Sequence, residues 1–158
     1  EKAFLIGILR KIMLEFPENY EIILSLGYPD NNDQPIRHGN VTIFKWIPNR
    51  FEYLKACDVI VARAGHGTIT QAMCYGKPII LVPTPGHTEQ INNAKQAQDL
   101  GVARILLQKD LHKETLLNTV EQVLEKRSED RLKTIQRDVL RYDGLKEVVK
   151  TIEHVARR

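Results

Sequence analysis

The chain has 158 residues, with 23 Lys and Arg against 20 Asp and Glu, a formal net charge of +3, 42% hydrophobic and 27% charged residues. That is one domain of ordinary globular composition with enough length for a core, and so slight a charge argues weakly against a dedicated nucleic-acid binder, which would show a concentrated basic face. No apolar run reaches the length of a membrane-spanning helix and no signal peptide is expected, and two cysteines, Cys57 and Cys74, make neither a disulfide framework nor a metal site, so they are expected as reduced, buried thiols of a cytoplasmic protein.

Residues 2–16 place Phe4, Leu5, Ile8, Leu9, Ile12 and Phe16 on one helical stripe, which Pro17 stops. A strand is expected over 21–26, and the polar stretch from Gly27 to Asn40 is rich in turn formers and predicts a loop. Residues 41–47 form the next strand, leading to Trp46 and Pro48 at its carboxyl end, and 51–57 a short helix.

Residues 58–93 are the stretch around which the rest is organised. The β-branched run 58–62 suits a strand buried on both faces. Ala64, Gly65, His66 and Gly67 follow, small enough for the backbone to approach a ligand. Thr68 and Gln71 stand in the relation of a capping box, which predicts a helix start at about Thr68. Gly76 stops that helix and Pro78 opens a strand over 79–82. The turn 83–87 is rigid at Pro83 and Pro85 and permissive at Gly86, and Thr88 is expected to cap a helix that ends near Gly101. Residues 102–107 close the sheet. The fold class expected is α/β, an open parallel sheet flanked by helices. Two helix N-termini then point at one crevice with unpaired N–H groups, a place that attracts phosphate. From Asp110 onwards the pattern is helical, carried by Leu111, Leu116, Leu117, Val120 and Leu124, then Leu132, Ile135 and Val139, then Val148, Val149, Ile152 and Val155. Charges of both signs cover the remaining faces as solvated surface.

Several side chains invite both a chemical and a structural reading. Gly65, Gly67 and Thr68 can hold a diphosphate, or simply make a tight turn. His66 can donate a hydrogen bond to a departing phosphate from its neutral ring, or pack under the turn. Gln71 can reach a ribose hydroxyl, or cap the helix. Glu89 and Gln90 can take neighbouring sugar hydroxyls, or Glu89 can simply complement the helix dipole. Trp46 and Ile47 can place a pyrimidine ring, or pack at a strand end. Gly86 and His87 belong to the second loop of the same crevice. The Gly76–Lys77 pair is followed by Pro78, so the phosphate-loop pattern is not met, nor is G-x-G-x-x-G. No histidine has a partner at metal-ligand spacing, and neither metal nor cofactor is expected.

Trp46, Pro48 and Asn49, then His66, Gly67 and Thr68, Gln71 and Ala72, Gly76 and Pro78, Glu89 and Gln90, and Asn93 and Ala94 stand in the order and spacing of a known set. Over residues 41–107 the chain resembles the C-terminal, donor-binding domain of GT-B glycosyltransferases, the MurG-like and UDP-glycosyltransferase group. It departs from that group's pattern at Gln71 (usually Glu), Glu89 (often Asp) and Asn49 (often Gln). The resemblance implies that the domain binds a nucleotide-sugar, a UDP-sugar in the first instance, within an enzyme transferring a hexose or N-acetylhexosamine with inversion. It also implies a first strand and glycine loop and an N-terminal acceptor domain, absent from this sequence, through which the protein could meet the cytoplasmic face of a membrane. This fragment alone is then expected to bind and not to turn over. A UDP-sugar 2-epimerase, or a donor-site subunit working with a separate membrane partner, are the alternatives.

Overall fold

The computed structural model describes residues 2–28, 34–126, 129–142 and 144–157. Helix α1 (Lys2–Met13) leads to β1 (Ile22–Ser25), β2 (Ile36–His38) and β3 (Val41–Phe44), and α2 (Arg50–Ala56) follows. Then β4 (Ile60–Ala62), α3 (His66–Cys74), β5 (Ile79–Leu81), α4 (Thr88–Asp99) and β6 (Ala103–Ile105) alternate. A 3₁₀ turn (Gln108–Asp110) precedes α5 (Lys113–Lys126), α6 (Glu129–Arg141) and α7 (Gly144–Ala156).

Strands β4, β5 and β6 lie side by side in chain order, all parallel, with Ile60 opposite Ile79 and Ile79 opposite Ala103. Parallel neighbours require a crossover, and α3 and α4 supply it. Strand β5 is covered on both faces, so every residue of the run 79–82 is fully buried. Ile79 and Leu81 face the layer of α3, α4 and α6, with Ile69, Ala72, Ala94, Ala97 and Leu132. Ile80 and Val82 face α1 and α5, packing with Leu9, Ile12, Leu116 and Val120. Alanines at 72, 94 and 97, none more than 1% exposed, let α3 and α4 lie close to the sheet.

The other three strands form a second sheet in the order β1-β3-β2, rather than continuing the first. β1 runs parallel to β3, and β2 pairs antiparallel to it, Ile36 opposite Ile43. β2 arises inside the polar stretch expected as loop; three residues on an exposed edge carry too little apolar periodicity to signal a strand. The middle of that stretch, residues 29–33, lies outside the described residues. The two sheets share one core beneath α1 and α5, where Leu24 of β1 and Val61 of β4 pack into the same cluster.

Four local expectations change. Phe4 is 57% exposed, because α1 turns Leu5, Leu9, Ile12 and Met13 inwards instead. Cys57 and Cys74 are half-buried rather than buried. Helix α3 begins at His66, with Gly65 as its cap and the Thr68 and Ile69 amides donating to the Gly65 carbonyl at 3.1 and 3.2 Å. Thr68 is thus already inside the first turn, so the Thr68–Gln71 box does not form. In α4, Thr88 is the first helical residue and His87 is the cap, its imidazole accepting from the Gln90 amide where a hydroxyl was expected. Among the described residues, no helix is long and apolar enough to cross a membrane.

Candidate functional site

The site is built where β4 and β5 end. Both strands are parallel and adjacent, so the loops that follow them emerge at the same edge, and α3 and α4 each begin there. The first loop, 63–65, is compact: the Gly65 amide donates to the Arg63 carbonyl at 2.9 Å. The second, 83–87, turns at Gly86 and closes with the His87 amide on the Thr84 carbonyl at 3.1 Å.

Two side chains from α4 fasten these loops. Asn93 Nδ2 donates to the Ala64 carbonyl at 3.2 Å, which ties α4 to the glycine loop in front of α3. Gln90 Oε1 accepts from the Thr84 amide at 3.0 Å and braces its own loop. Arg63, at the end of β4, donates from Nη1 to the Val82 carbonyl at 3.0 Å and from Nη2 to Gln108 Oε1 at 2.6 Å. It thereby links the ends of both central strands to the 3₁₀ turn. Arg63 was not among the expected site residues; the signal was a lone cation between a β-branched run and a glycine loop.

Of the expected residues, Gly65, His66, Gly67, Thr68 and Gln71 line the start of α3, and Gly86, His87, Glu89 and Gln90 the start of α4. His66 and Glu89 are exposed and Gln71 half-buried, and their side chains make no hydrogen bond among the described residues. They are therefore open to a ligand. Gln90 has one role already, since its side-chain oxygen accepts from the Thr84 amide; its amide hydrogens and one lone pair of that oxygen remain to offer. His87 accepts through Nδ1 at 3.4 Å from the Gln90 amide, the bond in which Nε2 carries the ring N–H. Trp46 and Ile47 follow β3 in the other sheet, Trp46 with 40% of its surface exposed, and no hydrogen bond or ring contact ties them to either loop among the described residues.

The first turns of α3 and α4 present N–H groups that the helices themselves cannot satisfy, with the positive ends of two dipoles beside them. A diphosphate or another doubly charged anion is the chemistry that such an edge suits. Among the described residues, no group of three or more His, Cys, Asp and Glu is placed to hold a metal ion. Burial pushes the Cys57 thiol up, with Lys77 opposing. A cavity of about 150 Å³ lies at the opposite, amino end of β4 and β5, bounded by Asp58, Lys77, Pro78 and Leu132.

Residues 4–152 match the glycosyltransferase family 28 C-terminal domain. The chain belongs to that family. The family 28 domain is 35% identical over 118 residues to an uncharacterized glycosyltransferase of Methanosarcina mazei, covering 74% of this chain and 31% of the relative. It is 41% identical over 106 residues to the UDP-N-acetylglucosamine–N-acetylmuramyl-(pentapeptide) pyrophosphoryl-undecaprenol N-acetylglucosamine transferase of Bacillus cytotoxicus, covering 66% and 27%. It thus covers less than a third of the length of each of these relatives. Among solved structures, the glycotransferase of kitacinnamycin superposes with a TM-score of 0.77 over 95% of this chain and 38% of the other, at 22% identity. Acinetobacter baumannii MurG does so with a TM-score of 0.52 at 26% identity, over 61% and 29%. The fold is that of one half of a GT-B glycosyltransferase.

Proposed function

We propose that this family 28 domain binds the nucleotide-sugar donor of a glycosyltransferase, and that the donor is a UDP-sugar carrying a hexose or N-acetylhexosamine. The observation that carries the reading is the paired start of α3 and α4 on adjacent parallel strands, fastened by Asn93 on Ala64. In this reading the diphosphate lies across the two helix starts, held by the amide of Gly67, the hydroxyl of Thr68 and His66. Gln71 takes a ribose hydroxyl, Glu89 and the amide of Gln90 take the sugar, and Trp46 with Ile47 receives the base. The name of the Bacillus cytotoxicus relative supports UDP-N-acetylglucosamine as the first donor to try.

Negative charge grows on the diphosphate as the sugar leaves. Donors already aimed at it stabilise the transition state more than the ground state. A helix end contributes about 0.3 to 1 kcal/mol at a surface and up to about 2 when partly buried, so it supplies a small share of a glycosyl-transfer barrier. The remainder falls to orientation and to a general base on an acceptor domain elsewhere in the whole protein. The sheet edges support a further strand from such a longer chain. β1 and β4 each lack a hydrogen-bonded neighbour on one side among the described residues, while Leu24 and Val61 meet in one core. One parallel strand between them would join two three-stranded sheets into one.

The test is a calorimetric and thermal-shift titration with UDP, UDP-N-acetylglucosamine, UDP-glucose, a thymidine diphosphate sugar and NAD. Ligand at 100 times its dissociation constant adds about 2.7 kcal/mol of stability. Selective stabilisation by the UDP compounds is the expected result. Equal response to NAD, or selective response to it, overturns the donor assignment.

A further inference from the structure

The opposite ends of α3 and α4 show a second arrangement that the crevice alone does not explain. Each helix gives way to a glycine at positive φ, Gly76 at 62° and Gly101 at 79°. Each glycine lies beneath a side chain of the same helix, α6. A Cβ on Gly76 would stand 3.0 Å from Gln136 Oε1, and one on Gly101 2.6 Å from Arg131 Cζ and Nε. Both side chains donate to carbonyls that the ending helices leave open. Gln136 Nε2 reaches the Cys74 carbonyl at 2.9 Å. Arg131 Nε reaches the Leu100 carbonyl at 2.9 Å, and its Nη2 the Asp99 carbonyl at 3.4 Å. Between the two positions, Leu132 and Ile135 anchor α6 in the core shared with β4, β5 and β6.

We infer that α6 is a clamp across the carboxyl ends of α3 and α4, and that Arg131 and Gln136 are positioning residues that fix how the two phosphate-facing helix starts sit relative to each other. This rests on the reading of the crevice as a diphosphate site. The physical basis is leverage. α3 has nine residues and α4 twelve, hence lengths of about 13 and 18 Å at 1.5 Å per residue. A tilt of about 5° about a clamped end therefore moves the far end by roughly 1 to 1.5 Å, more than the span of about 0.5 Å that N–H···O distances tolerate. Misplacement on the order of 1 Å is enough to cost about 100-fold in a positioned reaction. The charge is also complementary: the Arg131 guanidinium faces the negative end of the α4 dipole, at whose positive end the anion would bind. Gln136, as an amide, supplies the donor without adding a charge.

The experiment compares Arg131→Ala and Gln136→Glu with the wild-type protein in two readouts. The second substitution keeps the side-chain length and removes the donor. Residual dipolar couplings of the backbone amides, which need no ligand, report the orientation of α3 and α4 relative to β4, β5 and β6. Reorientation of α4 in Arg131→Ala and of α3 in Gln136→Glu is expected; unchanged orientation in both overturns the clamp. Calorimetry with UDP and with uridine then separates position from general loosening. The affinity for UDP is expected to fall about 3- to 10-fold in both variants, while in Arg131→Ala, which reorients α4 alone, that for uridine stays within about twofold, because the ribose contact, Gln71, lies on α3. A parallel loss for both ligands in Arg131→Ala, or no loss of UDP affinity in either variant, overturns the positioning role. If wild-type protein binds no UDP, the reading of the crevice fails, and the dipolar couplings still decide the clamp.

Discussion

His66 opens α3 with its ring exposed and no side-chain hydrogen bond among the described residues. A ring packed under the turn would be covered, so the structural alternative loses ground at this position. Under the proposed donor reading, in a longer chain that contains this domain and transfers sugar, His66→Ala is expected to lower kcat by about 100-fold, the order found when one preorganised donor to a developing charge is removed. The dissociation constant for UDP should change less than about threefold; a loss confined to affinity would remove His66 from leaving-group stabilisation. The same neighbourhood shows how far residues alone can be read. The glycines, His66 and the Glu89–Gln90 pair were visible because small or polar residues interrupt apolar runs. What Gln90 and Asn93 do was not, since their partners, Thr84 and Ala64, are chosen by the closure of loops in space. The caps moved for a related reason. Gly65 in extended geometry starts α3 without any side chain, and an imidazole took a place that a nearby threonine could equally have filled.

At the scale of elements, α3 and α4 each end on a left-handed glycine, but the two ends differ in what covers them. Left-handed backbone costs an L residue about 1 to 2 kcal/mol, and that alone is the expected penalty for Gly39→Ala, where nothing lies within 4 Å of an added Cβ. Gly101→Ala should cost at least about 1 kcal/mol more, because the Arg131 guanidinium must leave the Leu100 carbonyl. Denaturant midpoints of the two variants measure the difference, and equal losses would mean that Arg131 yields without consequence. The alternation of strands and helices from 58 to 107 was plain in the sequence, because the buried strands are continuous apolar runs bounded by glycine and proline. The division into two sheets was not. Which strand lies beside which depends on edges that carry no local mark, and β2 is too short to betray itself.

Across the whole molecule, burial is unevenly spread. No residue of α7 is buried, and Val148, Val149, Ile152 and Val155 stand 56, 45, 61 and 64% exposed. Ile152→Lys should therefore leave the unfolding free energy of this chain within about 0.5 kcal/mol of wild type, as for other surface sites. A larger loss in a denaturant melt would show that the stripe is covered in solution. By contrast, β4, β5 and β6 pair in strict succession, Ile60 with Ile79 and Ile79 with Ala103, so each contact closes over a short stretch of chain. The entropy of closing a loop grows with the logarithm of its length, and contacts between near neighbours form quickly. The pairings of β4, β5 and β6 therefore need no residue beyond 105. The core beneath α1 and α5 is the opposite case, drawing Leu9 and Leu24 together with Leu116 and Val120 from the far side of the sequence. The joint between the two sheets waits for α5, while the pairings that bring both helix starts to one edge do not.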